Sequence, residues 1–595
     1  MKTFKKIFDL LSHRERRQVF YLLMMILFMA LLDVIGIASI MPFIAVLTNP
    51  DLIQNNILIN KLYNYSNLFG VKTNEQFLFS LGVLVFFLLV FSLAFKALLA
   101  YSQLRFSSMC KYGLSKRMME RYLNQPYSWF LSRHSAEIGK TVLSEVGIIV
   151  TKGLKPILNI ITHGTVAFAI LVLLIINEPK FSLIACSSLS LTYFLIYRLT
   201  RNFLMRIGQA RVKANQDQFM VVTEAFNAAK ELKVGNLEKA FLERFSFPAK
   251  TLARYSAIAG SIGQLPRYAL EIIAFGGMLL LILFLMGQNT FNNVLPLIAL
   301  YVFAGYRLIP ALQQIYASAT MLRFVTPSLN ATHKDYKNLD PNLPQIKSNK
   351  SIPLTKGITI SDLYYQYPNS LKTTIKDINL NIPAHSTVGI VGSTGSGKTT
   401  VVDIILGLLQ AQKGSLKVDD SLIDENNIVA WQQSIGYVPQ DIFIADDTLA
   451  ANIAFGVDKK NINEEHVKVA AKIANIHDFI DKLPLKYQTT VGERGVRLSG
   501  GERQRIGIAR ALYSNPKVLI LDEATSALDN LTEQLVMQEI HKTSSNKTII
   551  MIAHRLSTVR KCDIIFYLEK GEVKAQGTYE ELIKTSEGFK KIENK

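Results

Sequence analysis

The apolar residues of this chain are concentrated in its first half, and that segregation limits what it can fold into. Residues 1–325 of 595 carry six apolar runs, each near the roughly 20 residues that cross a bilayer as a helix. They are Val19–Leu47, Phe77–Leu99, Ile157–Asn177, Phe181–Tyr197, Tyr268–Gly287 and Val294–Tyr316. Beyond about residue 350 short strand-like runs alternate with helical stretches, the pattern of an α/β domain. The polar stretch around His333–Ser351 reads as a connection. The pattern predicts an α-helical polytopic membrane domain of six spans over residues 1–325, a linker over 326–354 and an α/β domain over 355–595. A composition of 49% hydrophobic and 19% charged residues agrees with a membrane protein.

Basic residues orient the spans. Residues 1–18 hold six Lys/Arg and the segments 105–155 and 198–267 are also rich in them, whereas the opposite loops contain only Lys61, Lys72 and Lys180. The positive-inside rule therefore puts the N-terminus, both long inter-helix segments and the α/β domain on the cytosolic side. The net charge of +20 follows largely from this asymmetry, with attraction to anionic membrane lipids. Nucleic-acid binding is the competing reading of such a charge, and six spans argue against it. The first apolar run is too long for a signal peptide and lacks a small-residue cleavage site, so it is expected to remain as a helix. Cys110, Cys186 and Cys562 are scattered, and support neither a disulfide framework nor a metal site.

Chemistry is concentrated in the second half. After the apolar Val388-Gly389-Ile390-Val391 comes Gly392-Ser393-Thr394-Gly395-Ser396-Gly397-Lys398-Thr399, followed by Thr400. This is a P-loop: glycines turn backbone N–H groups around phosphate oxygens, and the following helix adds its positive dipole end. Lys398 is placed for the β/γ-phosphates and Thr399 for Mg²⁺. A ligand-free glycine turn is the plainer reading, but every constrained position is filled and a strand precedes it. The apolar Val518–Leu521 ends in Asp522-Glu523, 124 residues after Lys398. Asp522 is placed to hold Mg²⁺ and Glu523 to polarise an attacking water, so hydrolysis is expected and not binding alone.

Leu498-Ser499-Gly500-Gly501-Glu502 precedes this pair, and Ala524-Thr525-Ser526-Ala527-Leu528-Asp529 continues it. With Tyr437-Val438-Pro439-Gln440 and Ile552-Ala553-His554-Arg555, the order resembles the ATP-binding cassette family over essentially all of residues 355–590. The resemblance implies an α/β cassette that sandwiches ATP between two copies. Gln440 then matches the Q-loop residue that touches Mg²⁺, His554 the switch histidine near the γ-phosphate, and Asp529 the end of the D-loop. Ser499, Gly500, Gly501 and Glu502 match the signature loop that faces the opposite cassette's nucleotide, with Glu502 where the family commonly has Gln. Tyr367 matches the aromatic stacked on adenine, although Tyr364 and Tyr365 are its neighbours and any of the three is also a candidate core residue.

One set of motifs with six spans resembles a half-transporter of the type IV exporter fold, which implies a homodimer. Val491-Gly492-Glu493-Arg494-Gly495 is similar to the exporter X-loop, and the long cytosolic segments suit helices whose turns carry coupling helices.

Three cations interrupt the spans: Lys96, Arg267 and Arg307. Arg307 lies roughly 20 Å, and Lys96 roughly 29 Å, from the outer edge at 1.5 Å per residue. Plainer readings exist: Lys96 snorkels to the interface, and Arg267 pairs with Glu271 one turn later. An intramembrane cation such as Arg307 usually faces a cavity or a partner. Together they predict a basic cavity and an anionic substrate. Met41-Pro42-Phe43-Ile44, Pro266-Arg267-Tyr268-Ala269-Leu270-Glu271 and Tyr306-Arg307-Leu308-Ile309-Pro310 resemble the bacterial flippases of lipid-linked oligosaccharides. That resemblance implies that Arg267, Arg307 and Lys96 face a lipid pyrophosphate. It also implies a short external helix over Asp51–Phe69, with Leu58, Leu62 and Phe69 as its apolar residues. Asp33 is then either part of the pathway or an ion-pair partner.

The expected protein is an ATP-hydrolysing homodimer of the bacterial cytoplasmic membrane that exports an anionic lipid-linked saccharide, with ATP and Mg²⁺ as cofactors and no nucleic-acid partner. Export of a lipid A-like molecule, peptide or drug is the alternative within the class; a non-transporting ATPase or regulator is the alternative outside it.

Overall fold

A computed structural model describes residues 2–593 except 49, 51–52, 54–56, 68–70, 72, 178, 269–270, 273–275, 277–278, 280–282, 284–290, 340–350, 369, 544–545 and 554–555. The chain divides into two compact units, Met1–Gln125 with Arg133–Leu343, and Pro126–Ser132 with Pro344–Lys595.

The first unit is helical. Its described elements include α1 (Lys2–Leu10), α2 (His13–Ala38), α3 (Ile40–Thr48), α4 (Ile57–Asn67), α5 (Asn74–Leu123), α6 (Lys155–Asn177), α7 (Pro179–Asn227), α8 (Glu238–Gln264) and α9 (Phe291–Asn338). Two starts are set by capping boxes: Ser12 with Glu15 opens α2, and Thr73 with Gln76 opens α5. Each pair satisfies two backbone N–H groups that have no intrahelical partner. Among the described residues three helical stretches are long and apolar enough to cross a membrane, His13–Leu47, Asn74–Leu123 and Ser135–Ile176. They cover the first three expected spans, the third except for Asn177. The fourth and sixth fall within α7 and α9, while the fifth, Tyr268–Gly287, lies largely outside the described residues. Phe79, Phe86, Phe87 and Leu93 on α5 are exposed, as apolar side chains facing lipid are.

One expectation needs correcting. The linker does not begin at 326: α9 continues to Asn338 with Pro310 inside it, so the polar end of a long helix reads in sequence as a connection. The short helix α4 packs through Ile59 and Tyr63, in a cluster with Ile40, Val46, Ile53, Phe77, Leu81 and Val85, and Leu62 is 49% exposed. The Leu58 side chain and Phe69 lie outside the described residues.

The second unit is a two-sheet α/β domain. One sheet orders β2 (Ile375–Pro383), β1 (Gly357–Tyr365), β4 (Lys413–Val418) and β5 (Ser421–Leu422), with antiparallel pairings. The other orders β10 (Glu572–Gly577), β9 (Ile564–Glu569), β3 (Thr387–Gly392), β8 (Thr548–Ile552), β7 (Val518–Asp522) and β6 (Ile435–Val438). In this second sheet β9, β3, β8, β7 and β6 are parallel, and only β10 is antiparallel. β3, β7 and β8 are buried along their whole length. Helices cover both faces of such strands, so they read as unbroken apolar runs. Three helices matter below: α10 (Lys398–Ile405) after β3, α11 (Gly500–Leu512) before β7, and α12 (Asn530–Thr543) after it. The single turn Tyr127–Phe130, from one of the long inter-helix segments, groups with this unit.

Candidate nucleotide site

β3 ends in the P-loop at the edge of the buried core. A Cβ at Gly392 would collide with the Leu568 carbonyl, and Gly395 and Gly397 sit at φ +77° and +101°, where a side chain is strained. The loop therefore needs these glycines, and α10 starts directly after them. Lys398, only 6% exposed, donates through Nζ to the carbonyls of Gly392 and Ser393 at 2.9 and 3.2 Å. Burial pushes its ammonium below the ordinary lysine range, opposed by the nearby Glu523 and Asp522. The buried Ser396 Oγ has no hydrogen-bond partner among the described residues, and a phosphate oxygen would satisfy it.

The acidic pair stands at the end of β7. Asp522 is 4% exposed, and the Tyr437 hydroxyl donates to its Oδ2 at 3.5 Å. Glu523 follows in a left-handed conformation, φ +50°, its N–H held by the Ile552 carbonyl at 3.1 Å. Gln440 donates from Nε2 to Glu523 Oε2 at 2.9 Å. The fold thus brings Lys398, Asp522, Glu523 and Gln440 to one end of the parallel strands, where ligands bind in such sheets. A residue not expected from sequence joins them. Asp403, on α10, is buried, and burial together with Asp522 pushes its carboxyl up to about 6. Its signal was the lone acid in Val401-Val402-Asp403-Ile404-Ile405.

The three tyrosines separate by environment. Tyr365 is buried at 4% exposure, and Tyr364 carries the Lys413 ammonium 5.0 Å above its ring. Tyr367 is half-buried, with its hydroxyl 3.0 Å from Thr400 Oγ1 on the P-loop helix.

Ser499 caps α11: its side chain accepts from the Glu502 N–H, and Glu502 Oε2 accepts from the Ser499 N–H at 2.7 Å. A Gln there can make the same bond, so the departure at Glu502 leaves the helix start intact. Gly500 and Gly501 pack against Ala527, to which an added Cβ would come within 3.4 Å. Gly500 edges a cleft of about 640 Å³ whose lining includes Gln440, Arg494, Arg503, Gln504 and Ser526. Asp529 accepts the Thr532 N–H at 3.1 Å at the start of α12. His554 lies outside the described residues.

In the membrane unit Arg307 pairs with Asp33 at 3.2 Å, and Ser92 donates to the same Asp33 oxygen at 2.9 Å. Arg267 pairs with Glu271 at 2.8 Å on an exposed face. Lys96 is half-buried. Both arginines thus have an acid within their own chain, as the plainer reading of each allowed.

The ABC transporter family model matches residues 375–526. ABC transporter B family member 24, mitochondrial, of Arabidopsis thaliana is 42% identical over 258 residues, 43% of this chain and 36% of that relative. The match thus spans little more than a third of the relative's length. The ATP-dependent lipid A-core flippase of Saccharophagus degradans is 29% identical over 482 residues, 80% of either chain. A solved bacterial Atm1-family ABC exporter with ATP bound superposes with a TM-score of 0.77 over 97% of both chains, at 23% identity. The ABC transporter match over residues 375–526 implies ATP binding, and the Asp522-Glu523 pair lies within it. The chain has the fold of that exporter, a helical transmembrane domain fused to an α/β domain that carries the ABC transporter match.

Proposed function

We propose that two copies of this chain form an ATP-driven exporter that flips an anionic lipid-linked saccharide outward across a bacterial cytoplasmic membrane. The observation that carries the hydrolytic part is the Gln440–Glu523 hydrogen bond beside buried Asp522, at the strand ends next to the P-loop. Glu523 polarises a water for attack on the γ-phosphate, with Gln440 orienting its carboxylate. Lys398 exchanges its two carbonyl partners for phosphate oxygens, and Ser396 gains the acceptor it lacks. Thr399, Gln440 and Asp522 form an all-oxygen donor set that suits a hard dication, and one carboxylate plus nucleotide phosphates is the usual way Mg²⁺ is held. Mg²⁺, when bound, neutralises phosphate charge. His554 acts as the switch residue beside the γ-phosphate, and Tyr367 stacks on adenine.

The chain has one P-loop and one signature loop. The α11 N-terminus at Ser499–Gly501 opens on a cleft, and a helix N-terminus favours an anion. We assign it to the nucleotide of a second copy, with Asp529 ordering the loop beside it. Closure of the two cassettes on ATP would shift the spans outward, and hydrolysis would reset them.

The substrate reading rests on intramembrane charge. Arg307 reaches an anionic headgroup by exchanging Asp33 for it, while Lys96 and Arg267 add positive charge. The relative from Saccharophagus degradans is named an ATP-dependent lipid A-core flippase. Reconstitution into proteoliposomes with lipid-linked saccharides bearing a pyrophosphate, the same lipids bearing a neutral linkage, and lipid A decides between them. ATP-dependent movement of the first set alone is expected; equal flux of the neutral lipids overturns the anionic reading, and flux of lipid A alone redirects it.

A further inference from the structure

Glu523 is a non-glycine residue at φ +50°, a conformation that its own chemistry does not favour and that the surroundings must impose. The loop that follows it is held from both sides. From α11, Gln504, 6% exposed, accepts the Ala527 N–H through Oε1 at 2.9 Å. A backbone N–H only donates, so this bond fixes the amide's orientation and turns Nε2 toward Ser526, to whose Oγ it donates at 3.0 Å. From α12, Glu533, 8% exposed, accepts from Thr525 Oγ1 at 3.0 Å and from Thr558 Oγ1 at 2.8 Å through one oxygen, Oε1. Thr558 belongs to the single turn Leu556–Val559, just after residues 554–555.

We propose that Gln504 and Glu533 are positioning residues for ATP hydrolysis, clasping Thr525–Ala527 so that the signature helix, the Glu523 carboxylate and the segment after His554 hold one fixed relation. Neither residue touches the reacting atoms. Gln504 links the helix whose N-terminus begins at Gly500 to the loop three residues beyond Glu523. Glu533 links that same loop to the turn that follows the switch position. A displacement of the α11 N-terminus by an arriving phosphate therefore moves Ser526 and Ala527 directly. The inference rests on the ATP-hydrolysis reading above.

The test uses the full chain in nanodiscs, measuring kcat and KM for ATP, equilibrium binding of a fluorescent ATP analogue, and Tm. Wild type and Glu523→Gln serve as references. Gln504→Ala is expected to lower kcat at least tenfold, with KM for ATP changing much less than kcat, because the P-loop is untouched. Glu533→Ala is expected to behave alike, and Glu533→Gln, which keeps Oε1 as an acceptor, to retain most activity. Ser526→Ala should lower kcat, and Ser526→Thr, which keeps the hydroxyl, should restore it. In the double variant Gln504→Ala/Ser526→Ala, kcat should be no lower than in Gln504→Ala alone, because contacting residues are not additive. Gln504→Ala with kcat within twofold of wild type at equal Tm overturns the inference and leaves the hydrolysis reading standing. Should that variant not fold, equal kcat in Ser526→Ala and Ser526→Thr does the same. A wild-type chain no faster than Glu523→Gln overturns both.

Discussion

The Lys398 ammonium in the cassette and the Arg307 guanidinium in the membrane domain are both largely withdrawn from water, but they are matched differently. Lys398 turns onto two carbonyls of its own loop, Gly392 and Ser393, and a buried hydroxyl beside it has no partner among the described residues. Arg307 meets a full opposite charge, Asp33, which Ser92 also binds. Carbonyl dipoles compensate a buried cation only in part, so the P-loop is shaped around a charge that arrives with the ligand. The membrane pair is neutral without one. A ligand therefore adds to the first site and must compete at the second.

The largest effect tests the chemistry beside Lys398. Glu523→Gln should keep nucleotide binding and cut phosphate release by about 10²–10⁴, the range for a general base; near-normal release would remove Glu523 from its role. The next pair of variants tests the comparison itself. Lys398→Ala should weaken ATP binding roughly tenfold to hundredfold, for a lost charge-assisted contact of about 1.5–3 kcal/mol, without lowering Tm. Arg307→Ala should instead lower stability, toward the roughly 3–5 kcal/mol of a broken buried pair, and Arg307→Leu combined with Asp33→Asn should recover part of it. A stable Arg307→Ala that loses transport would reverse the contrast and make the arginine a ligand site first.

A smaller effect depends on pH. The Asp403 carboxyl titrates near 6 in the fold, above the ordinary carboxylate range near 4. Above about pH 6 it is charged in both states and folding bears its burial. As pH falls through about 6 the folded state takes up the proton first, so stability rises until the unfolded carboxyl is also protonated near pH 4. Asp403→Asn should thus raise Tm at pH 8, with the gain vanishing near pH 4; a gain independent of pH would mean that packing is the cause. The smallest effect is expected at Glu502. Glu502→Gln preserves the capping box and should change kcat less than about twofold, while Glu502→Ala should cost about 1 kcal/mol of helix stability.

What the sequence made legible follows what chemistry constrains. The P-loop and Asp522-Glu523 could be read because phosphate and water activation dictate residue types at fixed spacings, and the strands feeding them are buried on both faces. The Arg307–Asp33 contact was visible only as one of two alternatives, since nothing local links residues 274 positions apart in the chain. Gln504 and Glu533 carried no signal, because a side chain that clasps a distant loop has no spacing rule. The start of the linker was misplaced because the end of a helix in water is as polar as a loop.

The 48 residues of α9 form one continuous element, and such a rod amplifies small angles. Pro310, just past the Arg307 anchor, removes one backbone hydrogen bond to the preceding turn and is the natural point of compliance. From there to Asn338 is about 42 Å at 1.5 Å per residue. A bend of about 10° at Pro310 would therefore carry the far end through roughly 7 Å, a leverage that turns a slight readjustment beside Asp33 into a stroke longer than one helical turn.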